Sequence, residues 1–341
     1  GEYRGTRVAL KCYTVGRGDQ ATEGTALSEA LVMTRAPQLG VNEGMTHCFG
    51  AVKWQHGGFG CTIGVVLELA ECSLDAVLHH RPGGAAPRGW AGSAAGWAEE
   101  RRRYVEERAA GWAVQVTGAV AEVHERLNMA LCDMKSANLL LFDDGRVLKL
   151  SDVASGVLRA GGAEQSLQVS VSLMTQRNAA FTPRYTPPEH RQGLAGQPVT
   201  KASDSWGIGL VLLEMTCGCK VWPTLDDAVL VDPAHTLDIS LLLHPPSPPA
   251  WTPSPALARL LPAVEACLCL DPADRHTARQ VHTLLLDAAA KARGRPPAPQ
   301  VDPLAAPVQQ QAAEPKAEAK VSELGGVSSQ PSGAAAGGPP A

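Results

Sequence analysis

The chain has 341 residues, 45% of them hydrophobic and 4% aromatic, and a formal net charge of −4 at pH 7. This length accommodates one large domain and a tail, with Ala, Leu and Val filling most of the core because aromatic residues are few. The slightly acidic balance argues against a nucleic-acid-binding or membrane-surface protein, and no apolar run approaches the roughly 18 residues of a membrane span.

The amino-terminal segment is predicted to form strands around one helix. A turn precedes the apolar strand Val8–Lys11, and the continuous apolar run Cys61–Leu69 predicts a second strand. Ser73 is placed to cap a short helix that follows. Residues 79–97 are rich in Gly, Ala and Pro, which favours a disordered insertion.

Between these strands, Thr25–Met33 has the apolar spacing of a helix. Leu27, Leu31 and Val32 are expected on one side of it, with Glu29 among them. A glutamate in such a helix is usually solvated.

The longest helical pattern, Glu99–Arg126, carries an apolar stripe with a period of about 3.6 residues. Two short apolar strands come later, Leu139–Phe142 and Val147–Leu150, joined by a tight turn at Asp143-Asp144-Gly145. The helix and this hairpin flank a polar loop.

That loop and the end of the hairpin carry most of the polar chemistry. Asp133, Lys135 and Asn138 fall close together where neither a helix nor a strand period fits, and Asp152 directly follows the returning strand. The hairpin therefore brings Asp133, Asn138 and Asp152 to one edge of a small sheet. Two carboxylates and a carboxamide are oxygen ligands suited to Mg²⁺, with one carboxylate left over as a base.

The rest of the chain includes a long loop and a tail. Residues 155–184 are polar and lack a period, which predicts a mobile loop. From Gly294 onward, Pro, Ala, Gln and Gly dominate, which predicts a disordered tail without a readable function.

The nine cysteines are scattered rather than arranged as a disulfide framework. Two pairs, Cys217-Gly218-Cys219 and Cys267-Leu268-Cys269, are spaced too tightly for the usual zinc knuckle. We therefore expect reduced, partly buried thiols and a cytoplasmic location.

Six motifs occur in the order in which the eukaryotic protein kinase family has them, and the chain resembles that family. They are Val8-Ala9-Leu10-Lys11, the catalytic-loop segment Leu131–Asn138, the metal-binding segment Asp152-Val153-Ala154, Thr182–Glu189, the helix around Asp204-Ser205-Trp206, and Cys267–Arg275. Lys135 and Thr182 resemble the serine/threonine kinases, and the Lys-Ser-Ala-Asn wording resembles the tyrosine-kinase-like branch.

The resemblance implies an α+β, bilobal protein kinase fold. A small, mostly antiparallel β N-lobe with one helix, here truncated, would precede a large, mainly α-helical C-lobe. The implied boundaries are 1–67 for the partial N-lobe, 68–71 for the hinge, 72–290 for the C-lobe, 152–189 for the activation segment and 291–341 for the tail. The family's Gly-rich loop finds no sequence upstream of Val8, so we expect the chain to begin inside a longer protein.

The resemblance also implies the reaction, which is transfer of the ATP γ-phosphate to a serine or threonine hydroxyl of a protein substrate, with Mg²⁺. Asp133 would orient and deprotonate the hydroxyl, Lys135 would contact the transferring phosphate, and Asn138 and Asp152 would hold the ion. The implied ATP contacts are Lys11 with its partner Glu29, Val8 and Ala9 at the adenine, Leu67, Glu68 and Ala70 at the hinge, and Leu140. The implied structural positions are Thr182, Glu189, Asp204 and Arg275.

Four positions depart from the family pattern. Leu131 stands for His, Cys132 for Arg, Val153 for Phe and Ala154 for Gly. Retention of the whole charged set favours an active kinase, whereas the altered neighbours and the absent Gly-rich loop favour a pseudokinase that acts as a binding or scaffold module. A small-molecule kinase of related fold would not be expected to carry the segment Thr182–Glu189.

Overall fold

The computed structural model describes residues 1–41, 43–56, 60–79, 94–158, 182–191, 199–222 and 252–293. In these ranges the strands are β1 Glu2–Tyr3, β2 Thr6–Gly16, β3 Cys48–Gln55, β4 Gly60–Glu68, β5 Cys72–Ser73, β6 Met129–Ala130, β7 Leu139–Phe142, β8 Val147–Leu150 and β9 Val157–Leu158. The helices are α1 Gln20–Arg35, α2 Leu74–Leu78, α3 Ala94–Arg126, α4 Pro188–Arg191, α5 Lys201–Cys217, α6 Pro255–Ala258, α7 Leu261–Cys267 and α8 Ala278–Ala292.

Some expected segments fall outside this description. Residues 80–93 of the expected insertion, 159–181 of the expected activation segment and the tail from 294 all lie outside the described residues. Within the description, α3 begins at Ala94, so residues 94–97 are helical although the sequence placed them in the insertion.

The amino-terminal part is an antiparallel sheet with strand order β1-β2-β4-β3. Strand β2 runs to Gly16, beyond the end expected at Lys11, because its pairing with β4 continues to the register Gly16↔Gly60. The extension contains Tyr13, Thr14 and Val15, which are residue types that favour strands.

Helix α1 packs against this sheet. Asp19 caps the helix by accepting from the Thr22 N–H at 3.0 Å, and Ala26, Ala30 and Met33 are buried. Leu27, expected on the packed side, is 47% exposed. The buried side is thus the one that carries Glu29, whose carboxylate is enclosed rather than solvated.

The carboxy-terminal part is mainly helical. Helix α3 packs against both α5 and α8, and Trp112 on α3 and Trp206 on α5 are fully buried. Helix α5 passes directly beneath the polar loop, since a Cβ at Gly207 would come within 2.5 Å of the Met134 Cβ. Among the described helices, none is both long and apolar enough to cross a bilayer.

The predicted hairpin is present, and α3 holds its turn. Strands β7 and β8 pair from Leu139↔Leu150 to Phe142↔Val147. The Trp112 Nε1–H donates to the Gly145 carbonyl at 2.7 Å, and Gln115 accepts from the Leu148 N–H at 2.6 Å. The end of the hairpin is therefore fixed relative to the helical core.

Candidate active site

Lys11 lies between two carboxylates that come from different parts of the chain. Its Nζ is 2.8 Å from a Glu29 oxygen on α1 and 2.9 Å from an Asp152 oxygen just after β8. The Glu29 side chain is fully buried. Its second oxygen accepts a hydrogen bond from the Tyr13 hydroxyl, so both oxygens of this carboxylate have partners.

Tyr13 is a site residue that the sequence analysis missed. It follows Lys11 by two positions on β2, and alternate residues of a strand lie on the same face. The period of the strand could have placed Tyr13 beside Lys11, but only the packing of α1 shows that its hydroxyl reaches Glu29.

The charges of this cluster support one another. Burial alone would lower the pKa of Lys11, but the charges of Glu29 and Asp152 raise it above its ordinary value. Burial would raise the pKa of Asp152, yet Lys11 and the Ala154 N–H together hold it below its usual value. Burial raises the pKa of Glu29, although the positive charge of Lys11 acts to lower it. Lys11 and Asp152 are therefore charged at neutral pH.

A second cluster surrounds Asp133. One carboxylate oxygen accepts from Lys135 Nζ at 2.6 Å, and the other accepts from the Thr182 hydroxyl at 2.6 Å. Asn138 donates its amide N–H to the Asp133 carbonyl at 2.9 Å. The carboxylate is thus placed to accept a hydrogen bond from an alcohol, with an ammonium group directly beside it.

Asp204 anchors the backbone that leads into Asp133. Its carboxylate is buried and accepts from the backbone N–H groups of Leu131 and Cys132 at 2.7 and 2.8 Å. His124 Nε2 lies 2.7 Å from the same group, a contact that the sequence analysis missed. Cys132 has a φ of 68°, a strained conformation that persists only where the surroundings hold it. The hydrogen bond from the Cys132 N–H to the Asp204 carboxylate stabilises this conformation.

Glu189 and Arg275 connect the segment after Thr182 to the helical core. The fully buried Arg275 guanidinium donates two hydrogen bonds of 2.7 Å to the two Glu189 oxygens. Its Nη1 also donates to the Ala202 carbonyl at 3.1 Å. A bidentate pair of this kind fixes orientation as well as distance.

The residues expected around the adenine lie at one end of the amino-terminal sheet. Val8 pairs with Glu68 and Ala9 with Leu67; Val8 and Leu67 are buried, whereas Ala70 and Leu140 are half-buried. The Glu68 backbone N–H donates to the His47 carbonyl at 3.0 Å. That N–H is therefore engaged within the protein, and Glu68 remains a predicted contact of the adenine.

Asn138 and Asp152 fit Mg²⁺ carried by a polyphosphate. The Asn138 amide nitrogen is used on Asp133, which leaves its oxygen as the ligand end, and Asp152 is ionised. No group of three or more His, Cys, Asp or Glu side chains in the described residues could hold a metal by itself. Mg²⁺ bound with a nucleotide needs only one or two protein oxygens, because phosphates and water complete its shell.

The altered positions are accommodated within the core. Leu131 and Val153 are buried in the same hydrophobic cluster as Met33. Ala154 does not appear among the described residues with positive φ, so the replacement of glycine causes no backbone strain there.

Comparisons with known proteins agree with this arrangement. RAC-beta serine/threonine-protein kinase B of Xenopus laevis is 32% identical over 117 residues, which are 34% of this chain and 21% of that protein. The human RAC-beta serine/threonine-protein kinase is 31% identical over 117 residues, with the same coverage of 34% and 21%. MAP kinase kinase kinase wis4 of Schizosaccharomyces pombe is 28% identical over 166 residues, 48% of this chain and 11% of that protein. The matched segments span about a fifth or less of the relatives' own length.

The protein kinase domain family matches residues 89–284, more than half of the chain. This range contains Asp133, Lys135, Asn138 and Asp152, whereas Lys11 and its sheet precede it. Because the match covers more than half of its length, the chain belongs to the protein kinase domain family.

Proposed function

We propose that this protein is a serine/threonine kinase that transfers the ATP γ-phosphate to a hydroxyl of a protein substrate. The observation that carries the proposal is the position of Lys11, which contacts the buried Glu29 and the partly exposed Asp152 at the same time. Kinases require this lysine–glutamate pair and the metal-binding aspartate to be in place together.

The residues divide the work between nucleotide and acceptor. Lys11 offers a positive charge to the phosphates, and its ion pair with Glu29 fixes the orientation of the lysine side chain. Asn138 and Asp152 would hold Mg²⁺, which when bound neutralises phosphate charge. Asp133 accepts the proton of the acceptor hydroxyl, and Lys135 stabilises negative charge on the phosphate as it moves.

The same proposal assigns the larger parts of the fold. The sheet with α1 corresponds to a small lobe over 1–67, residues 68–71 to a hinge, and 72–290 to a large lobe. The residues that would surround the adenine are Val8, Ala9, Leu67, Glu68, Ala70 and Leu140. Thr182, Glu189, Asp204 and Arg275 would position the substrate segment and the catalytic loop.

A pseudokinase is the alternative function. The buried Leu131, Cys132 and Val153 favour it, because apolar side chains replace groups that most family members use around the reaction. Such a module would bind ATP or partners through the same scaffold without transferring phosphate.

Phosphoryl transfer separates the two functions. The assay follows labelled γ-phosphate from Mg-ATP into a serine- and threonine-rich protein, with Asp133→Asn as the matched variant. Incorporation by the wild type alone supports the kinase. Equal incorporation by both chains, or none by the wild type at saturating ATP, supports the pseudokinase.

A further inference from the structure

The thiols of Cys217 and Cys219 touch at the carboxy-terminal end of α5. Their sulfur atoms lie 3.5 Å apart, which is van der Waals contact, whereas a disulfide bond is about 2.05 Å long. Gly218 makes this contact possible, since its φ of 64° turns the chain back immediately after the helix. Both cysteines are half-buried and reduced.

The residues that follow this pair support the segment that carries Thr182. The Val221 N–H donates to Glu214 at 3.3 Å, and Glu214 also accepts from the Tyr185 hydroxyl at 2.9 Å. The Val221 carbonyl accepts from Arg184 at 3.2 Å. Arg184 and Tyr185 belong to the short turn directly after Thr182. A displacement of residues 219–222 is thus transmitted to the group that contacts Asp133.

We propose that Cys217 and Cys219 form a reversible disulfide that lowers turnover at the site around Asp133. The modification site stands on the thiol geometry alone, and its effect on turnover rests on the proposed kinase function. The bond requires each sulfur to move by a side-chain rotation, with the backbone of Cys219 following.

A peroxide supplies the oxidant. The Cys219 thiolate attacks one peroxide oxygen and the O–O bond breaks, giving a sulfenic acid on Cys219 and hydroxide. The Cys217 sulfur then attacks the sulfenic sulfur, the S–O bond breaks, and water leaves as the S–S bond forms. Two thiols lose two electrons and two protons, and one hydrogen peroxide becomes two waters.

The order of attack follows from the surroundings of the two sulfurs. The neighbouring Cys219 thiol, and then burial, raise the pKa of Cys217 above its ordinary range. The Cys217 thiol also donates to the Leu213 carbonyl at 2.9 Å. Cys217 is therefore the poorer first nucleophile and acts as the resolving thiol.

The second Cys-x-Cys pair provides a matched control. Cys267 is fully buried against α5, since a Cβ added at Gly209 would come within 2.6 Å of the Cys267 Cβ. The Cys269 thiol donates to the Glu265 carbonyl at 3.6 Å. The two pairs have the same spacing in the sequence, but the thiols of Cys267 and Cys269 have different partners. Cys269→Ser therefore tests whether the spacing alone is sufficient for disulfide formation.

The experiment oxidises the full chain with hydrogen peroxide, blocks free thiols by alkylation, and measures the masses of the peptides. We expect the peptide containing Cys217 and Cys219 to lose the mass of two hydrogen atoms and to remain unalkylated until dithiothreitol is added. Cys269→Ser should behave like the wild type. Cys217→Ser should give a sulfenic acid at Cys219, trapped by dimedone, instead of the disulfide.

Alkylation of both thiols after oxidation, or the same mass loss in Cys217→Ser, would overturn the proposed site. This readout does not depend on kinase activity and so decides the site even if the proposed function fails. Turnover of the oxidised chain should fall about tenfold, as expected for coupled contacting residues, and recover with dithiothreitol. A complete disulfide with unchanged turnover would overturn the coupling to Arg184.

Discussion

The ammonium nitrogen of Lys11 lies 2.9 Å from a carboxylate oxygen of Asp152 and so joins the amino-terminal sheet to the loop after β8. Both side chains are partly exposed to solvent, at 31% for Lys11 and 30% for Asp152. The pair therefore places a positive charge beside the carboxylate that we propose as a metal ligand.

Replacing Asp152 by alanine should remove the Mg²⁺-dependent part of ATP binding. Mg-ATP at a hundredfold excess over its dissociation constant should raise the free energy of unfolding of the wild type by about 2.7 kcal/mol, and so raise its melting temperature. Asp152→Ala should show little of this rise, while Asp274→Ala, which changes an exposed aspartate, should retain it. An equal Mg-ATP shift in Asp152→Ala would remove this residue from the metal site.

Replacing Tyr13 by phenylalanine should weaken nucleotide binding although Tyr13 does not contact the nucleotide in this account. The change leaves one oxygen of the buried Glu29 carboxylate without its donor. Such a loss costs roughly 1–3 kcal/mol, and the freed carboxylate holds Lys11 less firmly. Calorimetric titration with Mg-ATP and thermal melting should both report the loss. Tyr3→Phe is the matched control, and identical behaviour of the two variants would show that the Tyr13 hydroxyl has no such role.

Replacing Asp204 by asparagine should destabilise the catalytic loop. Leu131 and Cys132 donate to different oxygens of Asp204, and asparagine has only one oxygen, so its NH₂ group faces one of these two N–H donors. Hydrogen bonds to charged groups contribute roughly 1.5–3 kcal/mol each, so we expect a loss of that order in urea unfolding. A midpoint equal to that of the wild type would mean that the loop holds Cys132 in its strained conformation by other contacts.

The stability of the fold should fall in mild acid, partly through His282. Burial lowers the pKa of His282 below 6.5, and its Nδ1 lies 3.0 Å from the Val114 carbonyl on α3. The unfolded chain therefore binds this proton more readily, so the contribution of His282 to stability is present above about pH 6.5 and is lost as the pH falls below it. His282→Gln should flatten this decline. Burial lowers the pKa of His190 as well, so the flattening is partial, and an unchanged slope would exclude His282.

Local patterns were sufficient to predict the hairpin, whereas the buried helix α5 was expected from the family resemblance. Strands β7 and β8 are short apolar runs around a turn, and Lys201–Cys217 is buried along nearly its whole length. The packed side of α1 was not predictable in the same way. Leu27 is exposed whereas Ala26, Ala30 and Met33 are buried, because the packing of the helix on the strands decides which side is covered.

The polar contacts of the site could be predicted only where the residues belong to a family motif. His124 and Asp204 are 80 positions apart, and Tyr13 and Glu29 are 16 apart. No period in the sequence relates such residues, since their contacts arise when separate elements pack. The Asp204 anchor was expected from the family resemblance, whereas Tyr13 and His124 became visible only in three dimensions.

The most direct test of the central claim is a single-turnover measurement of γ-phosphate transfer at saturating Mg-ATP, with wild type and Asp133→Asn side by side. We expect phosphoserine or phosphothreonine on the protein acceptor, and a loss of transfer rate of roughly 100- to 10,000-fold in the variant, as for removal of a general base. ATP binding should be nearly equal in the two chains, because Asp133 acts on the acceptor hydroxyl. Equal transfer rates, or ATP bound by the wild type without any transfer, would contradict the account.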